Sequence, residues 1–401
     1  VSSIWYLATV GVLAKLGAFL LALASGAAGR IAYVVIRIFT GPKLADVMAN
    51  AGFYFKVNLP EWCPGLARDA TVWFFDRLGL PGEWWSTGAL EFYGQFAFIK
   101  GGLAFADAIT TVSPTYAQEI CTAEFGYGLE GLLQYRAANL TGILNGMDCA
   151  VWNPATDAQL QHTYDVHTLQ HKALNKAALQ EELGLPVDAG AMLLGHIGRL
   201  VEQKGVDLIL DTLDALFTHP VQLVILGDGE ELLESRLREA AARYPHQLAI
   251  YIGYDEPLAH RIEAGSDCFL MPSRYEPCGL NQMYSLRYGT VPIVHSTGGL
   301  ADTVIDLNET TARDYTATGF TFEPDTPAAL LDACERALAY YQGARVDWWK
   351  LVITGMKKDF SWSNSAQQYL SLYQRICDIT PEGDAGSGDV EYPRIPPAPL
   401  S

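Results

Sequence analysis

The sequence predicts an α/β chain built around a parallel sheet, and three observations carry that prediction. Short apolar runs rich in β-branched or aromatic residues recur along the chain, amphipathic stretches of helical length lie between them, and the 401 residues are 50% apolar with only 18% charged. At ~100 to 200 residues per domain the length allows two domains or three small ones, each able to bury a core. The apolar runs are AITTVS (108–113), MLLGHIGRL (192–200), VQLVILG (221–227), LAIYIG (248–253), DCFLMPS (267–273) and TVPIVHS (290–296). The intervening helical patterns are Val206 to Phe217, Glu230 to Arg243 and Leu258 to Gly265. Strand, helix, strand at this spacing means βαβ units and a sheet covered on both faces. Further helices are expected from His171 to Leu183, Asn281 to Tyr288 and Ser363 to Ile376.

Composition excludes several function classes. With 27 basic and 45 acidic residues the chain carries a net charge of −18, which repels phosphate backbones, so nucleic acid is not an expected partner. The charge is uneven: residues 1–60 carry +4 and the remaining 341 carry −22. The seven cysteines are scattered and form no CxxC pair, which predicts free thiols rather than a disulfide framework. His162, His167 and His171 lack a cysteine or carboxylate companion and read as surface or helix-face residues, so no metal site and no cofactor is expected.

The first 65 residues are read separately. Val1 is not an initiator methionine, as expected of a fragment or a processed chain. LGAFLLALASGAAG between Lys15 and Arg30 is fourteen uncharged residues, fewer than the ~20 that a membrane-spanning helix needs. A core or peripheral helix comes first, a targeting remnant second, and a membrane helix within residues 4–38 third.

In an open parallel sheet a ligand lies beyond the carboxyl ends of the strands, so the residues just after each strand matter most. After Ile197 come Gly198-Arg199-Leu200 and then Gln203-Lys204-Gly205, which opens a helix. Two cations and a helix N-terminus make an anion site fit for a diphosphate; the competing reading is two solvated basic residues in a loop. After LAIYIG, Tyr254 is either a platform for a base or a core tyrosine. Glu276-Pro277-Cys278-Gly279-Leu280, between a strand and the helix from Asn281, suits the holding of sugar hydroxyls and a phosphate. Thr297-Gly298-Gly299 opens another helix after TVPIVHS. Three glycine-bearing turns at successive strand ends point to one phosphate-bearing ligand.

These stretches carry a family resemblance. ADAITTVSPTYAQEI (106–120), ILNGMDCAVWNPATD (143–157), HIGRLVEQKGVDLIL (196–210), LMPSRYEPCGLNQMYSLRYGTVPIVHSTGGLADTV (270–304) and DFSWSNSAQQYLSLY (359–373) resemble bacterial glycogen synthases and plant starch synthases. The resemblance covers residues 72 to 376 and implies the GT-B fold, two Rossmann-like domains facing across a cleft, here with the amino-terminal one apparently incomplete. It implies a retaining, metal-independent transfer of glucose from ADP-glucose, or UDP-glucose, to the non-reducing end of an α-1,4-glucan. Arg199 and Lys204 would neutralise the departing diphosphate and Glu276 would hold the donor sugar, making these three the catalytic candidates. Cys278, Gly279, Leu280, Asn281, Thr297, Gly298 and Gly299 would bind the donor, with Tyr254 on the adenine. Asn145 in ILNG and Glu91 in LEFYGQ (90–95) are the acceptor-side candidates. Asn281 stands in place of the family's usual threonine, and Tyr284 occupies the position where many related transferases carry a second acid.

The departures lie toward the amino terminus. The family's lysine-containing glycine-rich loop has at most a distant echo in TGPKLADV (40–47), and ATVWFF (70–75) lacks the histidine of a TVHN-like strand. The expected organisation is an unassigned segment at 1–65, a partial amino-terminal domain at 66–160, a nucleotide-sugar domain at 161–377 with a crossover helix, and a disordered tail at 378–401. Two function classes follow: an active glucan synthase, or a catalytically impaired relative that binds nucleotide sugar or glucan. The expected compartment is bacterial cytoplasm or plastid stroma.

Overall fold

The computed structural model describes residues 82–378 and the backbone of 36–37. The expectations for residues 1–65, for 70–75 and for the tail beyond Asp378 fall outside the described residues. Close contacts divide the chain into two compact units. One comprises Val1–Thr111, Glu119–Thr141 and Tyr373–Ser401, and the other comprises Val112–Gln118 and Gly142–Leu372.

In the first unit, β1 (Ile36–Arg37), β4 (Ile109–Thr111) and β5 (Leu140–Gly142) form a three-stranded sheet in the order β1-β4-β5. A short antiparallel pair, β2 (Glu91–Phe92) with β3 (Gln95–Phe96), precedes α1 (Phe98–Phe105). Lys100 of α1 is buried, and its ammonium donates to the carbonyls of Glu91 at 2.5 Å and Thr87 at 2.7 Å. Between α2 (Pro114–Glu119) and β5 lies α3 (Glu130–Tyr135).

The second unit holds a six-stranded parallel sheet in the order β11-β10-β9-β6-β7-β8. Its strands are β6 (Met192–Ile197), β7 (Val221–Gly227), β8 (Leu248–Ile252), β9 (Cys268–Met271), β10 (Val291–His295) and β11 (Phe320–Phe322). Five match the apolar runs in the sequence to within a few residues. Strand β11 and the helices α11 (Pro327–Gly343) and α12 (Arg345–Met356) were not anticipated. The three-residue strand is too short for a periodic signal, and its partner β10 supplies the pairing that defines it.

The side chains of each strand divide between two cores, as a period of two requires. Met192 and Leu194 of β6, Leu223 and Ile225 of β7, and Cys268 and Leu270 of β9 enter one cluster. They meet α5 (Val206–Leu216), α6 (Glu231–Arg243), α11 and α12 there. Leu193, Val224, Leu226, Phe269 and Met271 enter the other, with Leu179 of α4 (Gln170–Glu182) and Leu258 and Ile262 of α7 (Glu256–Gly265). Burial on both faces is why these strands read as unbroken apolar runs. Three shorter elements complete the unit: α8 (Asn281–Tyr288), α9 (Gly298–Thr303) and α10 (Glu309–Arg313). The terminal helix α13 (Trp362–Asp378) starts in the second unit, and its residues from Tyr373 count with the first.

One polar contact explains why residues 112–118 belong to the second unit. Asp302 of α9 accepts from Ser113 Oγ at 2.5 Å, from Thr115 Oγ1 at 2.6 Å and from the Thr115 amide at 3.1 Å. The SPT turn and the GGLAD helix are therefore joined by a carboxylate with three donors.

His162 and His167 are exposed, as expected, and the five described cysteines (121, 149, 268, 278 and 334) are free thiols. Among the described residues no helix is long and apolar enough to cross a membrane, and no group of three or more His, Cys, Asp or Glu could hold a metal ion.

Glu263 of α7 is 1% exposed; one carboxylate oxygen accepts from Ser285 Oγ at 2.7 Å and the other has no partner. Burial pushes its carboxyl up to about 8. An unfolded glutamate ionises near 4.5, so between those values the unfolded chain releases a proton that the folded one retains, and stability falls as pH rises. Glu263→Gln keeps the Ser285 bond and removes this dependence. The variant should match the parent near pH 4.5 and exceed it by about 4 kcal/mol at pH 8 in denaturant unfolding. Equal stability at pH 8 would show that Glu263 is not held protonated.

Candidate active site

The sheet order places β6 between β7 and β9, so the chain leaves β6 to one side and later returns on the other. The gap between β6 and β9 at their carboxyl ends is thus the topological switch point, where a crevice opens in sheets of this kind. Arg199 and Lys204 follow β6, and Ser273 and Glu276 follow β9.

Gly205 brings the two loops together. It has φ +69°, caps the N-terminus of α5, and approaches so closely that a Cβ there would lie 2.1 Å from the carbonyl oxygen of Pro272. Only glycine meets both conditions. The glutamine two residues earlier fastens the loops further. Gln203 accepts from Arg199 Nη2 at 2.9 Å and donates from Nε2 to the Tyr275 carbonyl at 2.9 Å, while the Arg274 amide donates to the Gln203 carbonyl at 2.9 Å. Lys204 is thereby held against Glu276, and the two form a salt bridge with Glu276 7% exposed. Ser273 Oγ donates to the same Glu276 oxygen at 3.1 Å.

Beyond Glu276 the backbone turns at Gly279, with φ +70°, a conformation that disfavours any side chain. Among the described residues the N–H groups of Gly279 and Leu280 meet no hydrogen-bond acceptor, and the open first turn of α8 follows directly. Successive N–H groups of this kind, at the positive end of a helix, bind anions and sugar oxygens. The loop is backed by an apolar cluster of Val112, Met147, Cys278 and Met283, with Leu280, Tyr284 and Trp152 beside it. The amide of Asn145 donates to Cys278 Sγ at 3.4 Å, which places ILNG next to this turn.

Tyr284 is a packing residue. Its ring lies flat on Trp152, centroids 3.9 Å apart, and Trp152 lies flat on His260 at 3.8 Å. Asp157 anchors the far end, bonded to His260 Nδ1 at 2.7 Å and to the Tyr288 hydroxyl at 2.6 Å. Burial pushes the Tyr284 hydroxyl up to about 12, so it offers neither acid nor base at neutral pH.

Other expected donor contacts are partly engaged within the protein. Asn281 Nδ2 donates to the Ile197 carbonyl at 2.8 Å and so ties α8 to the end of β6. The Thr297 amide bonds to the His295 carbonyl at 2.9 Å, and the Gly299 amide bonds to the Glu276 carbonyl at 3.0 Å. The Gly299 amide therefore braces the Glu276 loop, while the Thr297 amide closes its own turn at the end of β10. Tyr254 follows β8 and is 83% exposed, with its hydroxyl 3.2 Å from Glu256, so the core-tyrosine alternative does not hold. Glu91 lies in the first unit, where its carboxylate accepts from the Gly94 amide at 2.5 Å and closes the β2–β3 turn.

Sequence reasoning missed several supports. Arg274 holds Asp207 at the start of α5 through two bonds of 2.9 and 2.7 Å. Burial alone would raise the Asp207 carboxyl, but the Arg274 bonds hold it below its usual range. His196 and His295 each place Nδ1 against a carbonyl at the end of β9, Leu270 at 2.9 Å and Ser273 at 2.8 Å. Burial drives His196 down to about 4, so it is neutral. The alternation HIG in β6 and VH in β10 was the available signal, masked because a buried histidine reads like any other polar interruption.

Comparisons with known proteins place the chain in a family. Residues 66–135 match the family described as starch synthase catalytic domain, and residues 184–350 match glycosyl transferases group 1. The chain is 55% identical over 302 residues to glycogen synthase 2 of Nitrosococcus oceani, covering 75% of this chain and 61% of that protein. It is 50% identical over 333 residues to a glycogen synthase of Aromatoleum aromaticum, covering 81% of this chain and 67% of that one. It thus spans about three fifths to two thirds of the length of these relatives. Among solved structures, the catalytic domain of starch synthase IV from Arabidopsis thaliana, bound to ADP and acarbose, superposes with a TM-score of 0.70 at 38% identity, over 75% of this chain and 63% of that one. With this identity, these matched domains and a parallel α/β architecture in common, the chain belongs to the glycogen and starch synthase family of GT-B glycosyltransferases.

Proposed function

We propose that the chain transfers glucose from ADP-glucose to the non-reducing end of an α-1,4-glucan with retention of configuration. The observation that carries this reading is the Lys204–Glu276 pair at the switch point, set beside the open N–H groups of Gly279 and Leu280. A nucleoside diphosphate brings the anion that Lys204 and Arg199 would bind, and the sugar brings the hydroxyls that Glu276 would accept from. Donor binding then re-partners both members of the pair: the ammonium turns to the diphosphate and the carboxylate to the glucose. As the glycosidic bond breaks, negative charge grows on the leaving diphosphate. Two cations already in place stabilise it more than they stabilise the ground state.

Starch synthase IV was solved with ADP and acarbose, which supports a nucleotide and a glucan-like chain as the two ligand classes. The exposed ring of Tyr254 is the surface proposed for the adenine, and Asn145, beside the Cys278 turn, is the acceptor-side candidate. Glu91, whose carboxylate closes a turn, is the weaker of the two acceptor-side candidates. The relatives at 50 and 55% identity are bacterial, which favours a bacterial setting over a plastid one.

Purified protein incubated with ADP-glucose and glycogen should release ADP, with UDP-glucose tested in parallel as donor. Lys204→Ala should lower kcat/KM by about 100-fold or more. ADP release no faster than in that variant would sink the synthase reading and leave a relative that binds nucleotide sugar without turnover. Glu276→Ala should cut kcat by about 100-fold or more while leaving ADP affinity equal or tighter, because Lys204 loses its competing partner. A loss confined to KM would reduce Glu276 to a donor anchor.

A further inference from the structure

The amino end of the same sheet holds a second concavity that the transfer reaction does not use. It is a cavity of about 100 Å³ where the chain enters β6, β9 and β10, lined by Lys172 and Lys176 of α4, Asp267, Tyr341, Arg345 and Trp349. The switch-point residues lie beyond the other end of strands such as β6, whose six residues span about 20 Å. The two places are therefore separate.

Its charge is unusual for this protein. In a chain of net −18, three cations here face one carboxylate. Lys176 is matched, with Asp267 at 2.6 Å, the Ala191 carbonyl at 2.5 Å and the Tyr341 hydroxyl at 3.2 Å. Lys172 and Arg345 are not. The Lys172 ammonium is 5% exposed as a residue and meets only neutral acceptors, Thr290 Oγ1 at 2.7 Å, the Ala264 carbonyl at 2.9 Å and the Glu263 carbonyl at 3.4 Å. Burial pulls it down to about 7 despite the more distant Asp267 and Glu263, so it has much to gain from an anion. Arg345 stands at the rim over two rings, 4.8 Å from the Tyr341 centroid and 5.4 Å from that of Trp349, with no carboxylate partner among the described residues.

We propose that this cavity binds a small sugar phosphate, with the phosphate between Lys172 and Arg345 and the sugar over Trp349. The charge count selects the headgroup. A phosphate monoester carries about −1.5 to −2 at neutral pH; it matches the permanent charge of Arg345 together with the charged form of Lys172 that a nearby anion favours, whereas one carboxylate would leave a cation over. Arg345 offers a planar fork suited to two phosphate oxygens, and ring stacking already orients it. The cavity admits a phosphate group, and the remainder of the ligand extends outward along the half-buried indole of Trp349.

The test uses the purified chain with saturating ADP, so that the switch-point site is occupied, and follows tryptophan fluorescence and calorimetric heat while ribose 5-phosphate is added. Ribose and inorganic phosphate are titrated separately. Ribose 5-phosphate should bind with Kd of about 1 mM or below, inorganic phosphate more weakly, and ribose not at all. Arg345→Ala, at an exposed position, should fold normally, retain the activity of the parent and lose about tenfold or more in this affinity. Lys204→Ala should retain it. The proposal is overturned by the absence of binding at about 20 mM, by unchanged affinity in Arg345→Ala, or by loss of binding in Lys204→Ala, which would assign the signal to the switch-point site.

Discussion

The chemistry of the second unit depends on how closely the backbone at Gly205 approaches the carbonyl of Pro272. Gly205 ends the loop after β6 and Pro272 begins the loop after β9, two strands far apart in sequence but adjacent in the sheet. Contact at this point sets the reach of Lys204 to Glu276 and lets Gln203 bridge Arg199 to the Tyr275 carbonyl. A methyl group at position 205 would push the loops apart and separate Lys204 from Glu276.

Around that contact the protein braces each loop from behind. The Gly299 amide holds the Glu276 carbonyl, Asn281 holds the end of β6, and the Tyr284–Trp152–His260 stack supports the turn through Cys278. Flat aromatic stacking contributes about 1 kcal/mol per pair beyond burial, and the Asp157 carboxylate fixes the orientation of the last ring. Such bracing matters because a site that stabilises charge must hold its donors in place before charge appears. The tyrosine where related transferases have an acid belongs to this bracing and leaves Glu276 as the carboxylate at the centre.

Electrostatically, the two concavities of this unit share one design within an acidic molecule. Each gathers a few cations against fewer carboxylates, and each uses burial to strengthen the effect. At the switch point the pair is already matched, so a ligand must exchange partners. At the amino ends of the strands Lys172 and Arg345 have no carboxylate at hydrogen-bond distance among the described residues, so a ligand would add a counter-charge rather than replace one.

Much of this was legible in the residues. Apolar runs such as VQLVILG marked five of the six strands because burial on both faces leaves no polar alternation to confuse them. The positions of Arg199, Lys204 and Glu276 at strand ends followed from the same pattern. Strand β11, the helices α11 and α12, and the supports Ser273, Arg274 and His196 did not show, since their meaning lies in neighbours distant along the chain. The sequence by itself determined the period of burial, the places where strands stop, and the glycines that permit tight turns, because these are local properties of the chain. Only the tertiary structure decided that β6 lies beside β9, that Lys204 therefore meets Glu276, and that Arg345 and Lys172 share a cavity. Strand order is a choice among non-local pairings, and no local preference encodes it.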